Sequence, residues 1–543
     1  MQLNRSTTSL KETMRRHRAP LILLLLMLFQ WAVLFSPNGP SWDATLYYAY
    51  ARSVVFDGDL RIDNDLQLSY PTAAPEFAAA RMDLEKTETG RVASPFAIGS
   101  SLLWLPWLAI LRGLTGLGQL AGIVPQPLSG YEWYFTLGLA TFSMALGWLA
   151  FWLAYRLALQ VSDKATAALA TLTLLFATPL LYYMYAEPLF AHATSAFITA
   201  LFISVWWRYF RQPSSQASAL AIGALLGLAC LVRWQHIAYL LLPLSSIAGW
   251  WLSLATAGRR EQIKRAAAMT GLVLLGTAAV LTLQLAHWRL LYGQWITIPQ
   301  GAGFVDWSAP YWRQMLFSTF NGLLPWMPVF FLGLAGLALQ LKKQRAFILP
   351  LLLVLVLETY VSSSLADWFG GGGYGPRRLT SELAILVIGY AGLLQWLPNR
   401  IRLIGGGLLT GLLIIHQWLL LRFSVVSPIG GRVLSMAPTY EWAEDGYGTF
   451  LRQVGSNLAE VARRPGQALH WPNSPLGALH DGLLPARQVT ALVFTLLAIA
   501  LAGLIAARLA RYREPVSPKT GWLLLAIVGL AILGTDLWLL IWA

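Results

Sequence analysis

The sequence predicts an all-α polytopic membrane protein with about 13 transmembrane helices, and three observations support this class. Of the 543 residues, 57% are hydrophobic and only 12% are charged, which is about half the charged share of a soluble domain. The mean hydropathy is +0.56. Apolar runs long enough to cross the roughly 30 Å of hydrocarbon in a bilayer recur along the chain. This composition excludes a water-soluble enzyme, and the one cysteine, Cys230, excludes an intramolecular disulfide.

The apolar runs follow one another with short connections between most of them. They cover residues 19–36, 131–157, 166–182, 188–207, 217–233, 236–257, 267–290, 323–341, 346–364, 379–397, 401–421, 488–510 and 520–542. A further apolar stretch, 96–120, is interrupted by Pro106, Arg112 and several glycines. Because proline and glycine disfavour helix interiors, hydropathy alone leaves the course of 96–120 ambiguous.

Charge asymmetry decides the orientation, because short cytoplasmic loops carry an excess of Lys and Arg. Basic residues cluster in the N-terminal tail and in the short loops 208–211, 259–265, 342–345, 400–402 and 508–519. This places the N-terminus inside and, by alternation, the C-terminus outside. The alternation requires 37–130 to stay outside, so 96–120 is predicted to lie along the membrane surface or to re-enter it. The net charge of +14 is therefore an orientation signal, and nucleic-acid binding is not predicted.

Four regions follow from this topology. They are a cytoplasmic tail (1–18), a transmembrane module (19–421) whose outer loop 37–130 carries juxtamembrane helices, an outer-face loop domain (422–487) and two C-terminal transmembrane helices (488–543). The first apolar run is predicted to be an uncleaved signal anchor, because no small-residue cleavage site follows it. Since the long segments lie outside, the function is predicted on the outer face.

The first candidate site residue is Asp43, which follows the first apolar run. Ser41 can cap a short helix with Asp43 in its first turn. Leu46, Tyr50 and Val54 share one face of this helix at helical spacing, so it is predicted to lie on the bilayer. The alternative is that Asp43 only complements the helix dipole.

Two more polar residues stand at a junction between spans. Glu187 follows three tyrosines and precedes a proline, and His192 comes just over one turn later. Ionisable groups at membrane depth are costly and functional by default. The alternative is that both side chains only reach into interfacial water.

Arginines at predicted outer ends of spans form the third candidate group. Arg233 closes one span and is followed three residues later by His236, whereas Arg377 and Arg378 follow the glycine-rich turn 370–376. Guanidinium groups bind phosphate through paired hydrogen bonds. The alternatives are pairing with Glu382 or with lipid headgroups.

An acidic turn lies further along the first outer loop. Asp57, Asp59, Asp63 and Asp65 do not have the spacing of a calcium-binding EF-hand. A solvated turn is predicted instead.

Taken in this order, these residues resemble the GT-C superfamily of polyprenyl-phosphate-sugar-dependent glycosyltransferases, which includes protein O-mannosyltransferases and the aminoarabinose transferase of lipid A. The likeness covers roughly 19–421. It is carried by Trp42-Asp43, the proline-led stretch 94–106, Glu187, the span end 231–233, and the blocks 318–328 and 367–378. One departure is Ala44, at a place where many members carry a second acid.

The resemblance implies an inverting transfer of a sugar from a polyprenyl-phosphate donor to an envelope acceptor, which is a lipid, a glycan or a protein. Asp43 would be the general base. Glu187 and His192 would orient the acceptor or, with Asp43, hold a divalent metal ion, the one cofactor that the resemblance leaves open. The reaction would take place in the lipid bilayer of a bacterial inner or plasma membrane, at its outer face.

The same resemblance implies a set of donor-phosphate ligands. Arg233, Arg377 and Arg378 would stabilise the charge of the departing polyprenyl phosphate. His236 and Lys86 are further candidates for the same phosphate.

Two other functions remain open from the sequence. A polytopic transporter or flippase could carry as many spans, although such proteins usually show internal repeats with ionisable residues near the midplane. A ligase of lipid-linked glycans would share both the donor and the topology.

Overall fold

A computed structural model describes residues 25–35, 37, 39–40, 43–69, 86–122, 124, 127–211, 215–255 and 260–426, with a few positions between 452 and 463. Within these residues the chain is mostly helical, as predicted. Their β pairing consists of two isolated bridges, Lys86 with Val92 and Val305 with Leu365. The tail 1–18, most of 422–487 and all of 488–543 lie outside the described residues, as does Ser41.

Most of the helices follow one another with short connections, and the longer segment 293–311 separates α11 from α12. The first half contains α1 (Leu25–Leu34), α2 (Asp43–Arg52), α3 (Asp63–Ser69), α4 (Gly99–Leu120), α5 (Trp133–Ala158), α6 (Lys164–Phe176), α7 (Leu180–Tyr185), α8 (His192–Arg211) and α9 (Gln216–Val232). The second half contains α10 (Leu241–Ala255), α11 (Arg260–Tyr292), α12 (Trp312–Phe317), α13 (Leu323–Trp326), α14 (Val329–Gln340), α15 (Arg345–Ser363), α16 (Leu383–Trp396) and α17 (Asn399–Val426). A π-helical turn, Ser53–Asp57, follows α2, and the 3₁₀ segments Trp234–Leu240 and Arg377–Glu382 precede α10 and α16.

Six helical segments in the described part of the chain are long and apolar enough to cross a membrane. They are Gly99–Leu120, Trp133–Ala158, Ile263–Tyr292, Arg345–Ser363, Arg377–Trp396 and Asn399–Leu421. The shorter apolar helices α1, α6, α9 and α14 also fall on predicted apolar runs. The helical membrane class therefore agrees with the prediction, while the total of about 13 spans stays a prediction.

The stretch 96–120 forms one helix, α4, which continues through Pro106. The interruptions in its apolar pattern therefore do not break the backbone. Trp104 and Leu108 are fully buried, whereas Leu117 and Leu120 near its end are exposed. Its length and composition suit a membrane span, and its predicted surface or re-entrant course stays a prediction.

Helix α2 begins at Asp43, as predicted, but protein encloses it. All residues from Ala44 to Arg52 are buried. Leu46 and Tyr50, the side chains predicted to face the bilayer, instead form a small core with Leu291 at the end of α11. This packing holds the position of Asp43.

The acidic turn is also drawn into the protein. Asp65 is fully buried, and its Oδ1 accepts a hydrogen bond from the Tyr131 hydroxyl at 3.2 Å. Arg52 Nη1 lies 3.5 Å from the same oxygen and also pairs with Asp57. The prediction of a solvated turn is therefore wrong for Asp65, because α3 packs back against α2.

Helices α14 and α16 are in close backbone contact. A Cβ atom on Gly336 would lie 1.8 Å from the Gly389 carbonyl oxygen, and one on Gly389 would lie 2.1 Å from the Gly333 oxygen. Small residues allow membrane helices to approach in this way. Since α16 continues directly from the segment Arg377–Glu382, this contact fixes where the two arginines lie.

Candidate active site

The acid of α2 meets the first arginine of the late glycine-rich block. Arg377 Nη1 lies 2.8 Å from Asp43 Oδ2, and the two side chains are 15% and 24% exposed. The Arg377 guanidinium also lies over the Phe190 ring, 5.6 Å from its centroid. Two predicted site residues from opposite ends of the module are thus in contact at the edge of the packed interior, where a ligand can reach them.

The glycine-rich turn before Arg377 needs its glycines. Gly370 and Gly375 have φ of +77° and +62°, which residues with a Cβ rarely adopt. The Asn321 side chain fastens the turn by donating from Nδ2 to the carbonyl oxygens of Phe369 and Gly373, both at 3.0 Å. The predicted block 318–328 therefore supports the predicted block 367–378.

Gly373 is required because of close side-chain contacts and not because of its backbone conformation. A Cβ atom at this position would lie 2.7 Å from Arg377 Cδ and 2.8 Å from the Tyr183 hydroxyl oxygen. At the neighbouring Gly372, an added Cβ would meet nothing within 4 Å. The missing side chain at Gly373 leaves the space in which Arg377 lies against the turn.

Arg378 is paired with Asp367. Its Nη2 lies 2.5 Å from Asp367 Oδ1, a partner that the sequence analysis did not consider. Arg378 Nε is buried and has no hydrogen-bond partner among the described residues. The arginine therefore keeps one N–H group available for an anion.

Arg233 reaches the same region from the end of α9. Its Nη2 lies 3.1 Å from His192 Nδ1, and this nitrogen is also 3.1 Å from Thr380 Oγ1. The His192 ring is fully buried and packs on the Tyr183 ring, with centroids 4.0 Å apart. Arg233 Nε, like that of Arg378, has no partner in the described part of the chain.

Tyr47 is a site residue that the sequence analysis did not single out. Its phenol interacts electrostatically with Asp43 and with Arg233, Arg377 and Arg378. Burial, the largest influence, raises the pKa of Tyr47 to about 12, so the phenol is a neutral hydrogen-bond donor at physiological pH. The signal in the sequence was its spacing, because positions four apart on a helix share a face.

Glu187 is buried beside a pair of tyrosines. Its carboxylate accepts a hydrogen bond from Tyr182, and Tyr183 lies within electrostatic range of both Glu187 and Arg377. The structure thus connects Glu187 with the arginines through aromatic side chains.

The last two predicted phosphate ligands are His236 and Lys86. His236 is fully buried, with Nδ1 2.9 Å from Glu358 Oε1 and Nε2 2.7 Å from Ser195 Oγ. Lys86 is exposed on the short hairpin that pairs it with Val92. Phosphate binding by either residue stays a prediction. The cationic groups that lie near Asp43 and Tyr47 belong to the arginines.

The residues predicted for a metal ion do not form a ligand cluster. Within the described residues, the group of His, Cys, Asp or Glu side chains close enough to hold an ion consists of His236, Glu358 and Glu382. Asp43 is instead ion-paired with Arg377. A metal ion held by Asp43, Glu187 and His192 therefore stays a prediction.

Comparison with solved structures gives matches to two membrane enzymes. The chain is similar to ArnT from Cupriavidus metallidurans in the apo state, with 17% identity over 89% of this chain and 76% of ArnT, at a TM-score of 0.45. The ArnT structure bound to undecaprenyl phosphate matches with 19% identity over 90% and 77%, at 0.46. The archaeal oligosaccharyltransferase AglB from Archaeoglobus fulgidus matches with 14% identity over 79% of this chain and 60% of AglB, at 0.44.

No family model and no curated protein matches the chain. ArnT and AglB are GT-C glycosyltransferases, the group that the sequence resembles. The identities are below 20% and the TM-scores are below 0.5.

Proposed function

We propose that this chain is an integral membrane glycosyltransferase that moves a sugar, with inversion, from a polyprenyl-phosphate donor to an acceptor of the cell envelope. The observation that carries the proposal is the contact between Asp43 and Arg377, with Arg233 and Arg378 close by. One carboxylate and three guanidinium groups are the parts that a transfer from a phosphate-linked sugar requires.

The charge balance of the cluster supports an anionic ligand. Arg233, Arg377 and Arg378 carry three positive charges, whereas Asp43 and Asp367 are the carboxylates paired directly with them. Two buried guanidinium N–H groups also lack partners within the described residues. A phosphate would supply both the charge and the hydrogen-bond acceptors.

The proposed reaction follows from this arrangement. The Asp43 carboxylate takes the proton of an acceptor hydroxyl, and the acceptor oxygen forms a bond to the anomeric carbon of the sugar. The bond between that carbon and the phosphate oxygen breaks, and its electron pair leaves with the polyprenyl phosphate. The arginines stabilise the charge that develops on the phosphate.

The proposal includes the topology predicted from the charges. The chain would cross the cell membrane about 13 times, with its N-terminus inside and this cluster at the outer face. Helix α2 would then bring Asp43 to the outer interface, where both a lipid-linked donor and an envelope acceptor can meet it. Glu187, which Tyr183 connects to Arg377, and His192 would orient the acceptor.

Lipid binding by the purified full-length protein tests the donor assignment. Undecaprenyl phosphate is a suitable probe, and native mass spectrometry measures its retention. We expect wild-type protein to bind it and Arg233→Gln to lose binding by on the order of 100-fold. The control is Arg402→Gln, because Arg402 is a partly buried arginine that pairs with Asp163 (2.7 Å) and lies outside this cluster.

Transfer itself is measured with radiolabelled polyprenyl-phosphate sugars and membrane acceptors in proteoliposomes. Wild-type protein that neither binds undecaprenyl phosphate nor transfers a sugar from any donor would overturn the proposal. Movement of the intact lipid-linked sugar across the bilayer, without transfer, would instead support the flippase alternative.

A further inference from the structure

A second polar cluster lies buried behind the arginines. His236, Glu358 and Glu382 come from the first 3₁₀ segment, from α15 and from the end of the second 3₁₀ segment. Each is fully buried, and their ligand atoms all lie within 4.8 Å of one another. The mechanism proposed above uses none of these side chains.

Hydrogen bonds hold one polar atom of each of the three side chains. Ser195 Oγ lies 2.7 Å from His236 Nε2. Gln235 Nε2 donates to Glu358 Oε2 at 2.7 Å, and the Tyr239 hydroxyl donates to Glu382 Oε2 at 2.6 Å. The other polar atoms of the group are His236 Nδ1 and Glu358 Oε1, which form a hydrogen bond with each other, and Glu382 Oε1.

These polar atoms differ in whether they have a hydrogen-bond partner. Glu382 Oε1 is buried and has no hydrogen-bond partner among the described residues, whereas His236 Nδ1 and Glu358 Oε1 lie 2.9 Å apart. A buried carboxylate oxygen without a partner is strongly unfavourable. Its presence beside two other ligand atoms indicates that a further group belongs in the cluster.

The charge of the cluster leads to the same conclusion. Two fully buried carboxylates face a single imidazole, and burying an uncompensated charge costs several kcal/mol or more. Arg233 lies within electrostatic range of Glu358 and Glu382, but its Nη2 is engaged with His192. One additional cation would neutralise the second carboxylate.

We propose that His236, Glu358 and Glu382 bind a divalent transition-metal ion such as Zn²⁺. One imidazole nitrogen and two carboxylate oxygens form a donor set that this ion accepts. Ser195, Gln235 and Tyr239 would act as the outer hydrogen-bond partners that orient metal ligands, as in established metal sites. The ion would link both 3₁₀ segments to α15. It would thereby fix the positions of Arg233, Arg377 and Arg378 relative to one another.

This site is not the metal site that the sequence resemblance implied as an option, which would consist of Asp43, Glu187 and His192. It is also independent of the proposed transfer reaction, because metal content and thermal stability are measured without any substrate. Failure of one proposal therefore leaves the other testable.

The experiment measures the metal content of the purified full-length protein and its melting temperature in detergent. We expect about one Zn²⁺ per chain, a lower melting temperature after chelation, and recovery when Zn²⁺ alone is added back. Glu382→Gln should reduce the metal content by on the order of tenfold or more and abolish the recovery. Glu187→Gln is the matched control and should retain the metal.

Two results would overturn this site. The first is wild-type protein that contains no metal and whose melting temperature does not respond to Zn²⁺, which would mean that a proton shared by the two carboxyl groups balances the charge. The second is loss of metal from Glu187→Gln with retention by Glu382→Gln, which would place the ion at the other position. The wild-type measurement decides the matter even if Glu382→Gln fails to fold.

Discussion

Asp43 and Arg377 are 334 positions apart in the chain, yet their side chains form an ion pair at 2.8 Å. The acid starts a helix of the first outer loop, and the arginine starts the 3₁₀ segment that leads into α16. A guanidinium that pairs with a carboxylate has the hydrogen-bond geometry that also pairs with a phosphate. The ion pair thus connects the proposed base with the proposed phosphate site.

Replacement of Asp43 by Asn should reduce sugar transfer by at least about 100-fold, because the amide cannot accept the acceptor's proton. The amide keeps the shape of the side chain and can still accept a hydrogen bond from Arg377, so expression and membrane insertion should be unchanged. Initial rates in proteoliposomes measure the effect, and Asp163→Asn, which removes a similar partner from Arg402, is the control. Full transfer by Asp43→Asn would remove this residue from the mechanism.

Substitution of Gly373 by Ala should lower transfer by on the order of tenfold or more, because the new methyl group would meet Arg377 Cδ at 2.7 Å and displace the guanidinium. Gly372→Ala is a matched control in the same turn, since its methyl group meets nothing within 4 Å. Both rates and melting temperatures should be recorded. Equal loss of activity in the two variants would show that the turn, and not the position of Arg377, was affected.

Arg378→Lys tests whether planar hydrogen bonding matters beyond charge. Lysine keeps the positive charge but loses the fork of N–H groups, including the Nε that has no partner within the described part. We expect the KM for the lipid donor to rise several-fold while membrane insertion is unchanged. The measurement is a donor titration at saturating acceptor, and an unchanged KM would mean that Arg378 acts only as a point charge.

The burial of Asp65 predicts a pH dependence of stability. Burial raises the pKa of Asp65 from 3.8 to about 7, against the opposing effect of Arg52. The folded state therefore binds a proton that the unfolded state releases, so this group's contribution to stability is largest below about pH 4 and is lost as the pH rises to about 7. Above pH 7 its contribution should no longer change.

Melting temperatures of wild-type protein and of Asp65→Asn, measured in detergent between pH 4.5 and 8, check this expectation. The amide cannot ionise, so the difference between the two proteins should grow in favour of Asp65→Asn as the pH rises. Asp63→Asn, at the start of the same helix, is the control. A constant difference across this range would contradict the expected titration.

Composition, hydropathy and the distribution of Lys and Arg were sufficient to predict a helical membrane protein and most helix positions, because these properties are local. A helix beginning at Asp43 was also predictable, since the capping pattern and the end of the first apolar run lie within a few residues of each other. The arginines stood out for the same reason, because each follows directly on a span end or a glycine-rich turn.

The tertiary structure alone shows the partner of each charge. The burial of Asp65 beside Tyr131 and the meeting of His236 with Glu358 and Glu382 depend on segments that are distant in the chain. Such contacts cannot be predicted from a single sequence, because the geometry of helix packing determines which side chains lie next to each other. Polar groups at a membrane interface could be recognised one by one, but their combination into a site is a property of the packed helices.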